Sequence, residues 1–423
     1  MPELNEDEII SAAVELAGSD DFGQHDFVEG LSVLCAAAGD EAQLNEIGHF
    51  ALQQNMIGGL ANRLKIHDWV RQHPGIRQER IEAPLMVVGL FRAGTTFLSQ
   101  LLDQDPANRA LLRWEAADSV PPPTAETYRS GPRVDAANVA IELLESLNPR
   151  MRIVHHEDAE GPTECITLLG QDFKSLTWEA MANVPSYSDW LMKADYRSAY
   201  EYHRMVLQVL QSGGRRGAWT LKSPNHAIAM DALTTVYPDA RLVLLHRDPT
   251  VLCASACSLI STLTGTFSDA DHIAYIAEHW TQLLAASIER TEAFRLAHPE
   301  HQLIDVQYAE LVGDPLGTVE TVYAACDPET RRPGGERDRS VHRREPEGPI
   351  RHARIPARRI RAPGRRHPRS LRGLHRALRR PGRAQQGLMG YPDSFRRGPA
   401  KEDATGDAVG AGSVMRGTPG VPS

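Results

Sequence analysis

From Glu8 to Gln72, apolar residues recur three and four positions apart: Ile10 and Val14 with Leu16, then Val28, Leu31 and Leu34, then Leu44, Ile47, Phe50 and Leu52. That spacing predicts amphipathic helices in an N-terminal helical region. From Pro84 the pattern changes. Four short β-rich runs, Leu85 to Gly89, Ala218 to Leu221, Arg241 to Leu245 and Gln302 to Val306, are each followed by a polar turn and a helical stretch. The alternation predicts βαβ units, and hence an α/β fold whose parallel sheet is flanked by helices. Residues 106–217, between the first two runs, read as mostly helical and are rich in Trp, Met and Tyr. Such an insertion builds either a substrate-side wall or a plain helical layer.

Length and charge sharpen the division. A chain of 423 residues holds one large domain with an appendage, or two to three small ones. With 41% hydrophobic and 24% charged residues, it is neither wholly disordered nor fibrous. Residues 1–325 carry 23 Lys and Arg against 45 Asp and Glu, whereas residues 326–423 carry 23 against 10. The body has no overall attraction for nucleic acid, so an anionic ligand needs a local cluster of donors. Boundaries are expected at 1–80, 81–325 and 326–423. Between Arg331 and Arg383 there are 19 arginines and no lysine, with no hydrophobic period. Two readings compete for this poorly structured Arg-rich tail: a basic segment that binds an anionic partner, or, preferred, a slip of reading frame near Cys326. No apolar run reaches the roughly 20 residues of a membrane span. The acidic start, Met1 to Glu8, is unlike a signal or transit peptide, which predicts a cytoplasmic protein. Five cysteines without disulfide or zinc spacing agree with that, and Cys253 and Cys257, four apart, read as core.

The candidate chemistry sits where strands end. Gly89-Leu90-Phe91-Arg92-Ala93-Gly94-Thr95-Thr96 follows the first run and opens a helix with Phe97, Leu98, Leu101 and Leu102 on one face. A strand, a Gly-containing loop and a helix start together aim backbone N–H groups and a helix dipole at one anion. The spacing is that of a P-loop-like turn, but Thr95 stands where a Walker A loop has lysine, which argues against a magnesium-nucleotide site. A tight βα turn with a solvated Arg92 is the plainer alternative. At the second strand end, Arg247 precedes Asp248, a good helix N-cap, and Pro249; Ser255 follows eight residues after the arginine. At the third, Lys222 and His226 share Trp219 to His226, where a lysine can neutralise an oxyanion and a histidine can exchange protons. Each residue alone also suits an ordinary salt bridge, a helix serine or a capping histidine. Three anion-suited strand ends together describe a ligand with two separated anionic groups.

These motifs resemble the sulfotransferase family that uses 3′-phosphoadenosine 5′-phosphosulfate (PAPS), in particular its bacterial branch with an N-terminal helical region. The resemblance runs from about Leu44 to Tyr323 and includes Tyr308 to Pro315. It implies that Arg92, Ala93, Gly94, Thr95 and Thr96 form the 5′-phosphosulfate loop and that Arg247 and Ser255 hold the 3′-phosphate. Phe91 and Ala93 depart from the family's usual proline and hydroxyl residue, and its closing Gly- and basic-residue loop is not found beyond Cys326. The implied activity is sulfuryl transfer to a hydroxyl, or an amine, of a small-molecule or lipid acceptor, without a metal ion. Arg92 and Lys222 would stabilise the leaving group, and Glu115 would be the base, with His226 as its rival. Glu115 alternatively pairs with Arg113 or Arg109 on the surface. Trp178, Met181, Tyr187, Trp190, Met192 and Tyr196 could line an apolar acceptor pocket. The competing readings are a P-loop kinase that uses ATP and a non-catalytic protein acting through its basic tail.

Overall fold

In the computed structural model, residues 4–154 and 157–326 are described. The Arg-rich stretch and the expected closing loop lie outside them. Three helices come first, α1 (Glu6–Ala17), α2 (Phe27–Asp40) and α3 (Glu46–Gln72). Asn5 caps α1 by accepting from the Glu8 N–H, and Asn45 caps α3 by accepting from the Gly48 N–H.

The strands are β1 (Leu85–Val88), β2 (Asn108–Ala110), β3 (Ala218–Ser223), β4 (Arg241–His246) and β5 (Leu303–Gln307). They pair in the order β2-β3-β1-β4-β5, all parallel, with Val87 opposite both Lys222 and Val243. Four of the five were legible because a parallel sheet covered on both faces reads as unbroken apolar runs. Every residue of β1 is buried. The exception, β2, is a three-residue edge strand of Asn, Arg and Ala, which carries no such signal.

The helices between strands are α4 (Thr95–Leu102) after β1, then α5 (Arg113–Ala117), α6 (Pro132–Leu147), α7 (Met151–Val154), α8 (Ile166–Gly170), α9 (Thr177–Met181), α10 (Pro185–Leu191) and α11 (Arg197–Ser212) before β3. The insertion is therefore helical, as its composition suggested. After β3 come α12 (Met230–Val236), then α13 (Pro249–Phe267) and α14 (Ile273–Ala297) between β4 and β5, and finally α15 (Tyr308–Gly313) and α16 (Pro315–Cys326). With the right-handed crossovers that parallel strands adopt, this order puts α4 on one face of the sheet and α12 to α14 on the other. The connections leaving β1 and β3 run in opposite directions across the sheet, which opens a crevice at the carboxyl end of β1.

One continuous core runs from Leu4 to Cys326 and includes the N-terminal helices. The seam is specific: α3 packs on α13, and the Asn45 N–H donates to the Phe267 carbonyl at 2.9 Å. Among the described residues, α13 alone has the length and composition of a bilayer span, a property the search for long apolar runs missed. Its Leu252, Ala256, Cys257 and Ile260 are buried in the core, and the helix packs on α14, α3 and α9. Cys253 and Cys257 lie in that same buried face, as read from their spacing.

Candidate active site

The loop after β1 is built around two backbone positions that ordinary residues avoid. Gly94 has φ 105°, and a Cβ there would lie 2.8 Å from Tyr308 Cδ2, so both conformation and space require glycine. Arg92 itself adopts φ 71°, uncommon for a side-chain-bearing residue and often found at functional sites. Ala93 is fully buried beneath the turn, and Thr95 is nearly so. The first N–H groups of α4, without intrahelical partners, and the positive end of its dipole are presented at the carboxyl edge of the sheet.

Arg92, Arg247 and Ser255 form one cluster. Arg92 Nε donates to Ser255 Oγ at 3.2 Å, and Arg247 Nη1 donates to the Arg92 carbonyl at 2.6 Å. The Arg247 guanidinium lies 4.2 Å from the centroid of the Tyr308 ring, a cation–π contact that holds it flat. Asp248 caps α13 by accepting from the N–H groups of Thr250 at 2.8 Å and Val251 at 3.1 Å, which fixes where Arg247 leaves the strand and where Ser255 sits on the helix. Burial, and after it the charge of Arg247, lower the Arg92 pKa from its usual value. Two guanidinium groups held this close repel, and an anion between them removes that cost. The sequence reading divided Arg92 from the Arg247–Ser255 pair; the structure brings the three together.

A second cluster lies on the other side of the loop. Lys222, 1% exposed at the end of β3, is 3.4 Å from Thr96 Oγ1 and 3.1 Å from Glu164 Oε1. The insertion delivers Glu164 here because the next residue, Cys165, donates its N–H to the Lys222 carbonyl at 2.8 Å. Sequence reasoning missed Glu164. It lies 58 positions from its partner in a stretch without a local motif.

The two residues expected to compete as base have other occupations. Glu115 is wholly buried and forks onto Arg109, with oxygen–nitrogen distances of 2.6 and 3.1 Å, while Oε2 also accepts the Leu112 N–H at 3.0 Å. Arg109 is equally buried, with its guanidinium 4.1 Å from the Trp219 ring centroid and 4.9 Å from that of Tyr128. The pairing with Arg109 is thus one of the partners anticipated, but in the interior rather than on the surface; Arg113 pairs with Glu157 instead. His226 is fully buried in the short turn after β3, with Nδ1 2.8 Å from the Tyr200 hydroxyl. Burial, and then His203, lower its pKa to about 3, so the ring is neutral at ordinary pH. Among the described residues no hydrogen bond joins His226 to the loop or to Lys222.

The aromatic wall divides in the same way. Tyr187 spends its hydroxyl on the Phe173 carbonyl at 2.7 Å, and Trp190 donates to Glu29 at 3.1 Å, facing α2. Trp178 and Tyr196 are buried, while Met181 and Met192 are partly buried against the core.

Comparison with known proteins bears on the family. The profile described as "Sulfotransferase family" matches residues 84–331. Curated relatives in Mycobacterium bovis and Mycobacterium tuberculosis, omega-hydroxy-beta-dihydromenaquinone-9 sulfotransferases Stf3, are 23% identical over 253 residues, 57% of this chain and 62% of theirs. The chain thus spans under two thirds of the length of these relatives. The crystal structure of sulfotransferase STF1 from Mycobacterium tuberculosis is similar with TM-score 0.70 and 36% identity, covering 76% of this chain and 88% of that one. That of STF9 from Mycobacterium avium gives TM-score 0.72 and 31% identity, over 78% and 85%. With its parallel sheet, its loop after β1 and a family match over more than half its length, the chain belongs to the sulfotransferase family.

Proposed function

We propose that the protein transfers the sulfuryl group of PAPS to a hydroxyl on a small-molecule or lipid acceptor, with Glu164 as general base and Lys222 as the cation at the reacting end. The observation that carries this reading is the meeting of Lys222, Thr96 and Glu164 beside the α4 N-terminus, with Arg92, Arg247 and Ser255 a short way along the same sheet edge. A nucleotide with two separated anionic groups matches two clusters of donors. Arg247, flattened on Tyr308, and Ser255 suit a terminal phosphate, which Arg92 shares. The loop N–H groups, Thr95, Thr96 and Lys222 suit the phosphosulfate end.

As the sulfur–oxygen bond to the nucleotide breaks, negative charge grows on the leaving phosphate. Lys222 and the helix N-terminus are preorganised to meet it. A sulfuryl group carries less charge than a phosphoryl group, so cationic side chains suffice where a kinase uses magnesium. The acceptor hydroxyl must also lose its proton. Glu164 is 13% exposed and already hydrogen-bonded to Lys222, so it can accept that proton while the lysine turns to the leaving group. The names of the curated relatives specify an omega-hydroxyl on dihydromenaquinone, which makes a hydroxyl on an apolar body the acceptor class to try first. The buried thiols Cys35, Cys165, Cys253 and Cys257 suit a reducing compartment.

Two measurements test this. Calorimetric titration is expected to give binding of adenosine 3′,5′-bisphosphate in EDTA and little heat from ATP; the reverse, with magnesium dependence, favours the P-loop kinase reading. Glu164→Gln is expected to lower kcat by about 10²- to 10⁴-fold with bisphosphate affinity kept. Unchanged turnover removes Glu164 from the chemistry.

A further inference from the structure

Away from the two clusters, a carboxylate–imidazole pair lies on the helices that border the loop. Glu179, on α9, is 2% exposed, and its Oε2 is 2.7 Å from His279 Nε2 on α14. A carboxylate only accepts, so in the neutral ring the proton sits on Nε2 and the lone pair on Nδ1. The His279 side chain is 17% exposed. Tyr275 stacks on the ring at 5.0 Å and 10°, which holds its plane.

Both carriers are fastened to the site. Trp280, next to His279, meets Phe91 of the loop edge-on at 5.2 Å. Upstream of α9, the Leu176 N–H donates to Asn225 Oδ1 at 3.0 Å, three residues past Lys222. A second observation points to a ligand. Glu179 Oε1 and the Tyr196 hydroxyl are buried and have no hydrogen-bond partner among the described residues. Both residues are more than nine-tenths buried. After burial, the Glu179 charge is the next cause that raises the Tyr196 pKa. Buried polar atoms are rarely left unsatisfied.

We propose that Glu179 and His279 form an acceptor-binding site that takes a second hydroxyl of the acceptor, so that the preferred acceptor is a diol or polyol on an apolar body. His279 Nδ1 accepts the hydroxyl proton, with Glu179 fixing the tautomer. An ammonium group would also donate, but the cations Arg92, Arg247 and Lys222 across the loop disfavour a further positive partner. The inference rests on the sulfotransferase reading, since it assigns this pair to the acceptor side.

The test is titration of the full chain with 1-octanol, 1,2-octanediol and 2-amino-1-octanol, with and without adenosine 3′,5′-bisphosphate. The diol is expected to bind about tenfold tighter than octanol, and His279→Phe, which keeps the stack on Tyr275, to erase that preference while leaving octanol affinity unchanged; its melting temperature falls, because Glu179 is left buried without its partner. If the phenylalanine variant is unfolded, the diol-to-octanol ratio of the wild type decides alone. Equal affinities, no heat from the diol, a preference that survives the substitution, or tighter binding of the amino alcohol overturns the proposal. Absence of bisphosphate binding overturns the donor reading instead, and the acceptor ratio is still read without it.

Discussion

At the scale of single residues, like amino acids do unlike work here. Arg109 and Arg247 both contact an aromatic ring, but Arg109 is sealed against Glu115 while Arg247 stands at a strand end beside Arg92. Arg247→Ala is expected to weaken adenosine 3′,5′-bisphosphate binding about ten- to hundredfold, the worth of a charge-assisted contact, with little change in melting; calorimetry and a thermal scan check both. Glu115→Ala is expected to do the opposite. It leaves Arg109 charged and buried without its partner, so urea unfolding should show a loss of about 3–5 kcal/mol, and the surviving folded fraction should still bind the bisphosphate. The contrast also shows what sequence can carry. Arg247 was legible because Asp248 and Pro249 mark the helix start after it. The surroundings of Glu115 were not legible, because a carboxylate beside Trp114 looks alike in sequence whether it faces a cleft or, as here, an arginine. Glu164 had no signal at all, since it meets Lys222 only in the folded chain, 58 positions on, where the Cys165 N–H bond to the Lys222 carbonyl brings it.

At the scale of elements, the site depends on how α4 and α13 begin. Gly94→Ala places a side chain in the left-handed region and against Tyr308, whose ring also supports Arg247. It is expected to cost about 1–2 kcal/mol of stability and to weaken bisphosphate binding at the same time, a coupling that denaturation and calorimetry on one variant would reveal. Asp248→Ala removes the α13 cap, with an expected loss of about 1 kcal/mol. Strands and cap positions were readable because each is set by its own few residues. The edge strand β2 was not, because what makes it a strand is the partner β3 rather than its own Asn-Arg-Ala.

At the scale of the whole molecule, acid should be the telling perturbation. His203 and His226 are fully buried, each hydrogen-bonded through Nδ1 to a tyrosine hydroxyl, and burial lowers both from 6.5 to about 3. Below pH 6.5 the unfolded chain binds protons that the folded chain refuses until about pH 3. Stability is therefore complete above pH 6.5 and falls as pH drops through that window, by about 1.4 kcal/mol per pH unit for each histidine. His67, lowered to about 4 by burial and then by Arg63, adds a third share; urea unfolding at pH 7, 6 and 5 is expected to show this slope, and His203→Phe to remove about a third of it, whereas an unchanged slope would assign acid sensitivity to other groups.

The seam between α3 and α13 has a consequence for biosynthesis. α3 leaves the ribosome complete at Gln72 with α1 already there to pack on it, yet α13, which covers another part of it, is not finished until Phe267. At about 5–20 residues per second that part stays uncovered for about 10–40 s. A holding chaperone has that long to engage it, and codon-dependent pauses within the intervening stretch would lengthen the exposure.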